Sequence, residues 1–299
     1  MGFGLFAAEF KAEFGLSSTV IGFVSSLGFF GFLLGLLIAQ AMLVRRGPTL
    51  PVLWGLSAAS IGLALVATAP ALPVLALGVF VAALSAGSVW TPFNDAVHRK
   101  VTGPDRSTAL ARISTGTSLG IVAAGGAALA MALAGIDWRT AWMVFAVMSA
   151  LALIGNAFWL RGGGAEQTSQ LKGAWREVLR ASAVPLFAVA FVYGTTSAVF
   201  IAFAADHIQG AGGVPGVPVA ATSALIFVLY GAFGLFGLLT ARVEHAVGLT
   251  WLVRGLMLCG AVSVALAAMV SASLFPRRSA MPYSATTTLR MWRGMVTCP

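Results

Sequence analysis

The feature that most limits what this chain can fold into is a series of apolar runs, too long and too free of charge for water. Eight segments, near Thr19–Leu43, Pro51–Ala69, Leu72–Phe93, Ala111–Ala134, Trp138–Leu160, Val184–Ala205, Val217–Ala241 and Leu249–Leu274, stand out. Each has about the 20 residues a helix needs to cross a bilayer. In hydrocarbon every backbone N–H and C=O must be paired within the protein, which leaves helices or closed barrels. A barrel would show alternating stretches of about ten residues, and these runs are continuous. The expected fold class is an all-α membrane protein, a polytopic bundle with about eight complete transmembrane helices.

Composition supports this reading. Only 9% of the 299 residues are charged, against roughly 25% in a soluble domain. The 35 glycines suit a medium in which close backbone approach replaces the hydrophobic effect as the packing device. The net charge of +9 would point to nucleic acid only if Lys and Arg gathered on one soluble face. Here they fall in short clusters between apolar runs, so no nucleic-acid partner is expected; the lipid bilayer is. Cys259 lies in an apolar run and Cys298 near the end, which suggests neither a disulfide framework nor a metal site. The opening "MGFGLFAAEFKAEFG" has acids and no basic stretch, unlike a cleaved signal peptide.

Connections alternate in charge. Those after the first, third, fifth and seventh runs hold Arg45 and Arg46; Arg99, Lys100, Arg106 and Arg112; Arg161, Lys172, Arg176 and Arg180; and Arg242, with Arg254 just inside the eighth run. The opposite side holds Lys11 and Arg139. The positive-inside rule makes the first side cytoplasmic. The chain then starts outside with an apolar piece too short to span, as though an earlier helix once preceded it and Met1–Phe10 were its outer end. Residues 275–299 carry Arg277, Arg278, Arg290 and Arg293, no acid and no helical period. On the outer side they break the charge pattern and read as a tail foreign to the fold.

Between Leu160 and Val184 lies the longest basic connection. Leu171, Trp175 and Leu179 recur every four residues beside Lys172, Arg176 and Arg180. That spacing suits a helix lying on the anionic inner leaflet. Four parts follow: 1–160; a cytoplasmic linker at 161–183; 184–274; and the tail at 275–299.

The two main parts echo one another. "GLLIAQAMLVRRGPTLPVLWG" from Gly35 returns about two hundred residues later as "GLLTARVEHAVGLTWLVRG" from Gly237. Each joins two apolar helices through a tight basic turn. If the second part copies the first, a helix is missing before Thr19 and three are missing after Leu274. Restored, the pattern is six plus six, part of a repeat-built transporter fold.

That arrangement resembles the major facilitator superfamily. The turn Gln40–Pro48 is similar to the family's signature loop, which reads glycine, three positions, aspartate, basic, any, glycine, basic. Arg45 and Gly47 match it; Gln40, Val44 and Pro48 stand where the first glycine, the aspartate and the last basic residue would be. "IDWRTAWMVFAVMSALAL" resembles the start of the family's sixth helix. "WTPFNDAVHRKV" followed by "STGTSLGIVAAGG" resembles the fourth-to-fifth region of bacterial permeases. The resemblance covers residues 1 to 274. It implies an MFS permease of the bacterial-type inner (plasma) membrane, multi-pass and truncated, carrying a small solute by alternating access. Against it stand an inactive truncated transporter fragment and a membrane channel or scaffold protein. No P-loop, metal spacing, nucleophile elbow or catalytic carboxylate pair appears, so neither enzyme activity nor a cofactor is expected.

The family's midplane cavity implies solute-facing candidates: Ser26, Ser85, Ser88, Trp90, Thr117, Tyr193, Ser197 and Tyr230, each polar or aromatic within an apolar run. Arg45, Arg46, Gly47, Asp95, Arg99, Arg106 and Arg112 are candidates for a cytoplasmic gate. Asp95 is expected to pair with Arg99 or Arg112. Asp206 and His207 read as a solvated outer cap. Gly28, Gly31, Gly35, Gly116, Gly120, Gly125 and Gly126 read as close-packing positions. No run carries a carboxylate at mid-membrane, where proton coupling usually needs one.

Overall fold

The computed structural model describes residues 2–101, 103, 105–159, 184–210, 213–214 and 216–274. Two short helices open the chain, α1 (Gly2–Leu5) and α2 (Ala7–Phe14). Then come α3 (Ser18–Arg46), α4 (Thr49–Ala67), α5 (Leu72–Lys100), α6 (Asp105–Leu133), α7 (Trp138–Trp159), α8 (Val184–Gly210) and α9 (Val219–Gly234). A 3-10 stretch (Leu235–Leu239) follows, then α10 (Thr240–Val247) and α11 (Leu249–Leu274). Eight of these helical segments are long and apolar enough to cross a membrane. There are no strands among the described residues. The linker at 161–183 and the tail at 275–299, with the surface helix expected in the former, lie outside the described residues.

The described residues up to Leu239 pack as one unit and those from Thr240 as another. In the first, α5 lies against both α3 and α4, α7 lies against α4, and α6 pairs with α9. In the second, α10 packs on α11.

Glycine sets these crossings. A Cβ on Gly87 of α5 would come within 2.8 Å of Leu36 N, and one on Gly35 of α3 would run into the Leu84 carbonyl. On the other side of α5, a Cβ on Gly78 would meet Val66 N at 2.8 Å, and one on Gly62 would strike Ala82 N. Backbone therefore lies on backbone, which no larger residue permits. Ser88, fully buried at the α3–α5 crossing, donates to Leu84 O at 2.9 Å and approaches Gly35 O at 3.4 Å. Gly31 and Gly35 are packing positions as expected, and Gly28 is in ordinary contact with Val79. Gly116, Gly120 and Gly126 differ from expectation: nothing lies within reach of a Cβ there, and Gly125 alone of the four makes a close approach. Four glycines on one helix cannot all face the same neighbour, and it is Gly125 that α6 turns toward α9.

The helices run past their apolar windows on the basic side. α5 continues to Lys100 and α6 begins at Asp105, whereas hydropathy places the ends near Phe93 and Ala111. Polar residues can extend the hydrogen-bond ladder where headgroups and water take over from lipid. The seventh run is interrupted: α9 stops at Gly234 and the chain tightens to 3-10 before α10. Glycines at 231, 234 and 237 lower helix propensity there.

The sequence echo has a backbone counterpart. Gly47 (φ 75°) and Gly248 (φ 81°) both take positive φ. Each N–H returns to the carbonyl four residues back, Gly47 to Leu43 at 3.1 Å and Gly248 to Glu244 at 2.8 Å. A glycine with positive φ, a conformation other residues rarely adopt, ends each helix and lets the next begin at once.

Gly35→Leu and Gly62→Leu are expected to destabilise the protein by at least about 1–3 kcal/mol, the usual cost of overpacking. Gly116→Leu, with open space around it, should be near neutral. Thermal unfolding in detergent, followed by circular dichroism, checks all three.

Candidate functional site

The first part of the chain meets the second along a seam, and its best-built portion lies at the end opposite the basic connections (the outer end, by the charge rule). There α6 crosses α9. A Cβ on Gly125 would sit 2.9 Å from Val228 N, and one on Gly231 would sit 2.8 Å from Val122 N. Nearby, α1 presses on α8, where a Cβ on Gly4 would strike the Ile201 carbonyl.

An aromatic cluster fills the space beside these contacts. Phe10 is fully buried. Its ring stacks on Phe3 at 5.2 Å and meets Trp138 edge-on at 4.9 Å. Phe6 lies 5.8 Å from Trp142. The apolar opening of the chain, too short to span, is thus a plug rather than a loose end.

Two ion pairs frame the plug. Lys11 Nζ donates to Asp206 of α8 at 2.7 and 3.0 Å, and Ser18 Oγ accepts from the same ammonium at 3.1 Å. The expected solvated cap at Asp206 is therefore a bridge between the two parts of the chain. Glu13 accepts from Arg139 of α7 and from Trp138 Nε1, the latter at 2.7 Å. Arg139 also donates to Ala69 O at the end of α4, at 2.7 Å, and lies over the Trp138 ring at 4.4 Å. Gln209 of α8 donates to buried Ser223 of α9 at 2.7 Å.

Glu9 was not legible as a site residue in the sequence. It lines a cavity of about 40 Å³ together with Leu5, Phe6, Ala128, Met131, Trp138 and Ala224, among others. One of its carboxylate oxygens is buried without a partner. Burial holds the carboxyl above its ordinary value of 4.5, and a hydrogen bond from its own backbone N–H opposes this only in part. Helical spacing held the signal: Leu5 and Phe6 stand four and three residues before Glu9, on its own face.

The solute candidates differ in burial. Ser85 and Ser88 are buried, with hydroxyls donating to Ala82 O at 2.6 Å and Leu84 O at 2.9 Å within their own helix. Ser26, Trp90, Thr117 and Tyr193 are exposed; Ser197 and Tyr230 are half-buried. Tyr230 lies 5.6 Å from the Phe200 ring. At the basic end, Arg45, Arg46 and Arg112 are exposed and Asp95 is half-buried and engaged. Arg106 donates from Nε to Val101 O at 3.2 Å, bracing the turn between α5 and α6. The side chain of Arg99 is outside the described residues, which leaves its pairing with Asp95 as an expectation.

The Major Facilitator Superfamily model matches residues 1–298. The match runs on past Leu274, through the tail that the charge pattern sets apart. No curated protein matches the chain. The chain belongs to the major facilitator superfamily. With eight apolar helices it is an integral, multi-pass membrane protein of a family of secondary transporters.

Phe10→Ala is expected to cost about 3–5 kcal/mol by emptying the plug. In a double-mutant cycle Lys11→Ala with Asp206→Ala should give a smaller coupling, about 0.2–1 kcal/mol, weakening with added salt. Chemical unfolding of the purified protein in detergent measures both.

Proposed function

We propose that the protein carries a small solute across the membrane by alternating access, with two groups of helices rocking about the seam. The observation that supports this best is the seam's construction. Helices from repeat-related parts touch backbone to backbone at Gly125 and Gly231, where they can pivot. Beyond the pivot they are held by one partly exposed ion pair and a packed apolar plug, both of which can separate.

In this reading the basic side faces the cytoplasm of a bacterial-type inner membrane. Residues 161–183 link the two groups along the inner leaflet. Ser26, Trp90, Thr117, Tyr193, Ser197 and Tyr230 face the solute path. Ser85 and Ser88 serve packing, because their hydroxyls already have carbonyl partners. Arg106 braces the inner turn, and Arg45, Arg46, Gly47, Asp95, Arg99 and Arg112 form the inner gate with it.

Purified protein in liposomes, given a panel of radiolabelled small solutes, is expected to show uptake that saturates with at least one of them. Gly231→Leu should abolish that uptake by jamming the pivot. Flux that rises linearly with solute, or that equals protein-free liposomes for every solute, would favour the channel or scaffold reading. A cysteine at Arg46 should react with an impermeant maleimide only from the cytoplasmic side.

A further inference from the structure

Glu9 has no part in the reading above, yet one of its carboxylate oxygens is buried without a partner, as is Trp142 Nε1 in the neighbouring aromatic cluster. Its cavity of about 40 Å³ has room for a water molecule, which needs roughly 10–15 Å³ of such volume. A carboxylate buried with an unpaired oxygen is costly, while the neutral acid is far less so. The groups facing Glu9 do nothing to balance a negative charge. α6 contributes Ala128, Met131 and Ala132, α9 contributes Ala224, and the turn before α7 contributes Ile136. Trp138 has a single N–H, and it is given to Glu13; Trp142 Nε1, also buried and unpartnered, is a neutral donor on a residue outside the cavity lining.

The charged groups of this end are turned elsewhere. Lys11 is bound to Asp206 and Ser18, and Arg139 is bound to Glu13 and Ala69 O. Asp137 and His207 are exposed at the ends of α7 and α8. A metal cation does not fit: a hard ion such as calcium takes six to eight oxygens, and this cavity offers one carboxyl among apolar walls. A proton is the ligand the chemistry selects.

We propose that Glu9 is a proton-binding site that latches the outer seam. With the proton on, the neutral carboxyl lets α2 remain docked beside α6, α7 and α9. With the proton off, the carboxylate draws water into the cavity and the plug loosens. The sign follows from linkage. An acid whose closed-state affinity for protons exceeds its open-state affinity favours closure at low pH and loses that advantage as pH rises through the interval between the two values. Within that interval each pH unit moves the open-to-closed ratio about tenfold. The latch deepens the alternating-access reading, resting on it only for what an open seam would do in transport.

The test uses the full chain in liposomes with Cys259 and Cys298 replaced by serine and with Ala128→Cys as reporter, since Ala128 lines the cavity and is buried. An impermeant maleimide is applied from outside across about pH 5 to 8, and labelling is expressed relative to the Glu9→Gln variant at the same pH, which cancels the thiol's own titration. The ratio is expected to climb up to about tenfold per unit and then level off. A ratio that stays flat across the range overturns the latch.

A second measurement needs no substitution. A hydrophobic carbodiimide, which modifies protonated carboxyls in apolar surroundings, should label Glu9, and the labelling should fall as pH rises from about 5 to 8. No labelling of Glu9 at any pH in that range also overturns it. Neither readout depends on uptake, so a chain that gates with pH and transports nothing would remove the transport reading and leave the latch standing.

Discussion

Helices in lipid gain little by hiding apolar surface from one another, because the surrounding tails are equally apolar. What holds this bundle is contact close enough for backbone to meet backbone, and the chain reaches it through glycine. The crossings at Gly35 and Gly87, at Gly62 and Gly78, and at Gly125 and Gly231 share this geometry. α5 has such a contact on both sides, which makes it the central strut of the first part. The third crossing differs in consequence. It joins helices from either side of residues 161–183, so the device that packs the first part also ties the second part to it.

Polarity at the end opposite the basic connections follows from the same economy. Few charges are present, and the structure uses several of them more than once. Glu13 serves Trp138 and Arg139; Arg139 serves Glu13, the end of α4 and the Trp138 ring. Such groups behave as a network, in which the effects of single deletions do not add. Glu9 stands apart from the network while lying within two residues of Lys11. That separation is what leaves it sensitive to its own protonation.

Much of the fold can be read from the residues alone. The eight runs, the turn glycines at 47 and 248 and the packing role of Gly31 and Gly35 follow from hydropathy and spacing. Helix ends do not, because the signal for a span is apolarity, and a helix can continue past it on polar residues, as α5 does through Lys100. Nor does spacing tell which of several glycines faces a neighbour: Gly116 and Gly120 have the motif, and Gly125 has the contact. The plug was hidden for a related reason. "MGFGLFAAEF" is too short to score as a span, and only three-dimensional contacts with Trp138 and Trp142 give it a place. Solute candidates chosen as polar residues in apolar runs include both free side chains and ones already satisfied by backbone, such as Ser88, which a sequence does not separate.

The lengths of α3, α5 and α6 bear on the membrane itself. Each has 29 residues, about 43 Å at 1.5 Å per residue, against a hydrocarbon core of about 30 Å. α4, with 19 residues, is about 28 Å long and barely fills that core. A bilayer cannot match both at once. Tilt can absorb part of the excess, and the ends of α5 and α6 on the basic side, at Lys100 and Asp105, are polar enough to lie beyond the hydrocarbon. Bilayer thickness is therefore a mechanical load that such a set of helices shares unequally: a thinner membrane exposes more of the long helices, and a thicker one strains α4, packed between α5 and α7.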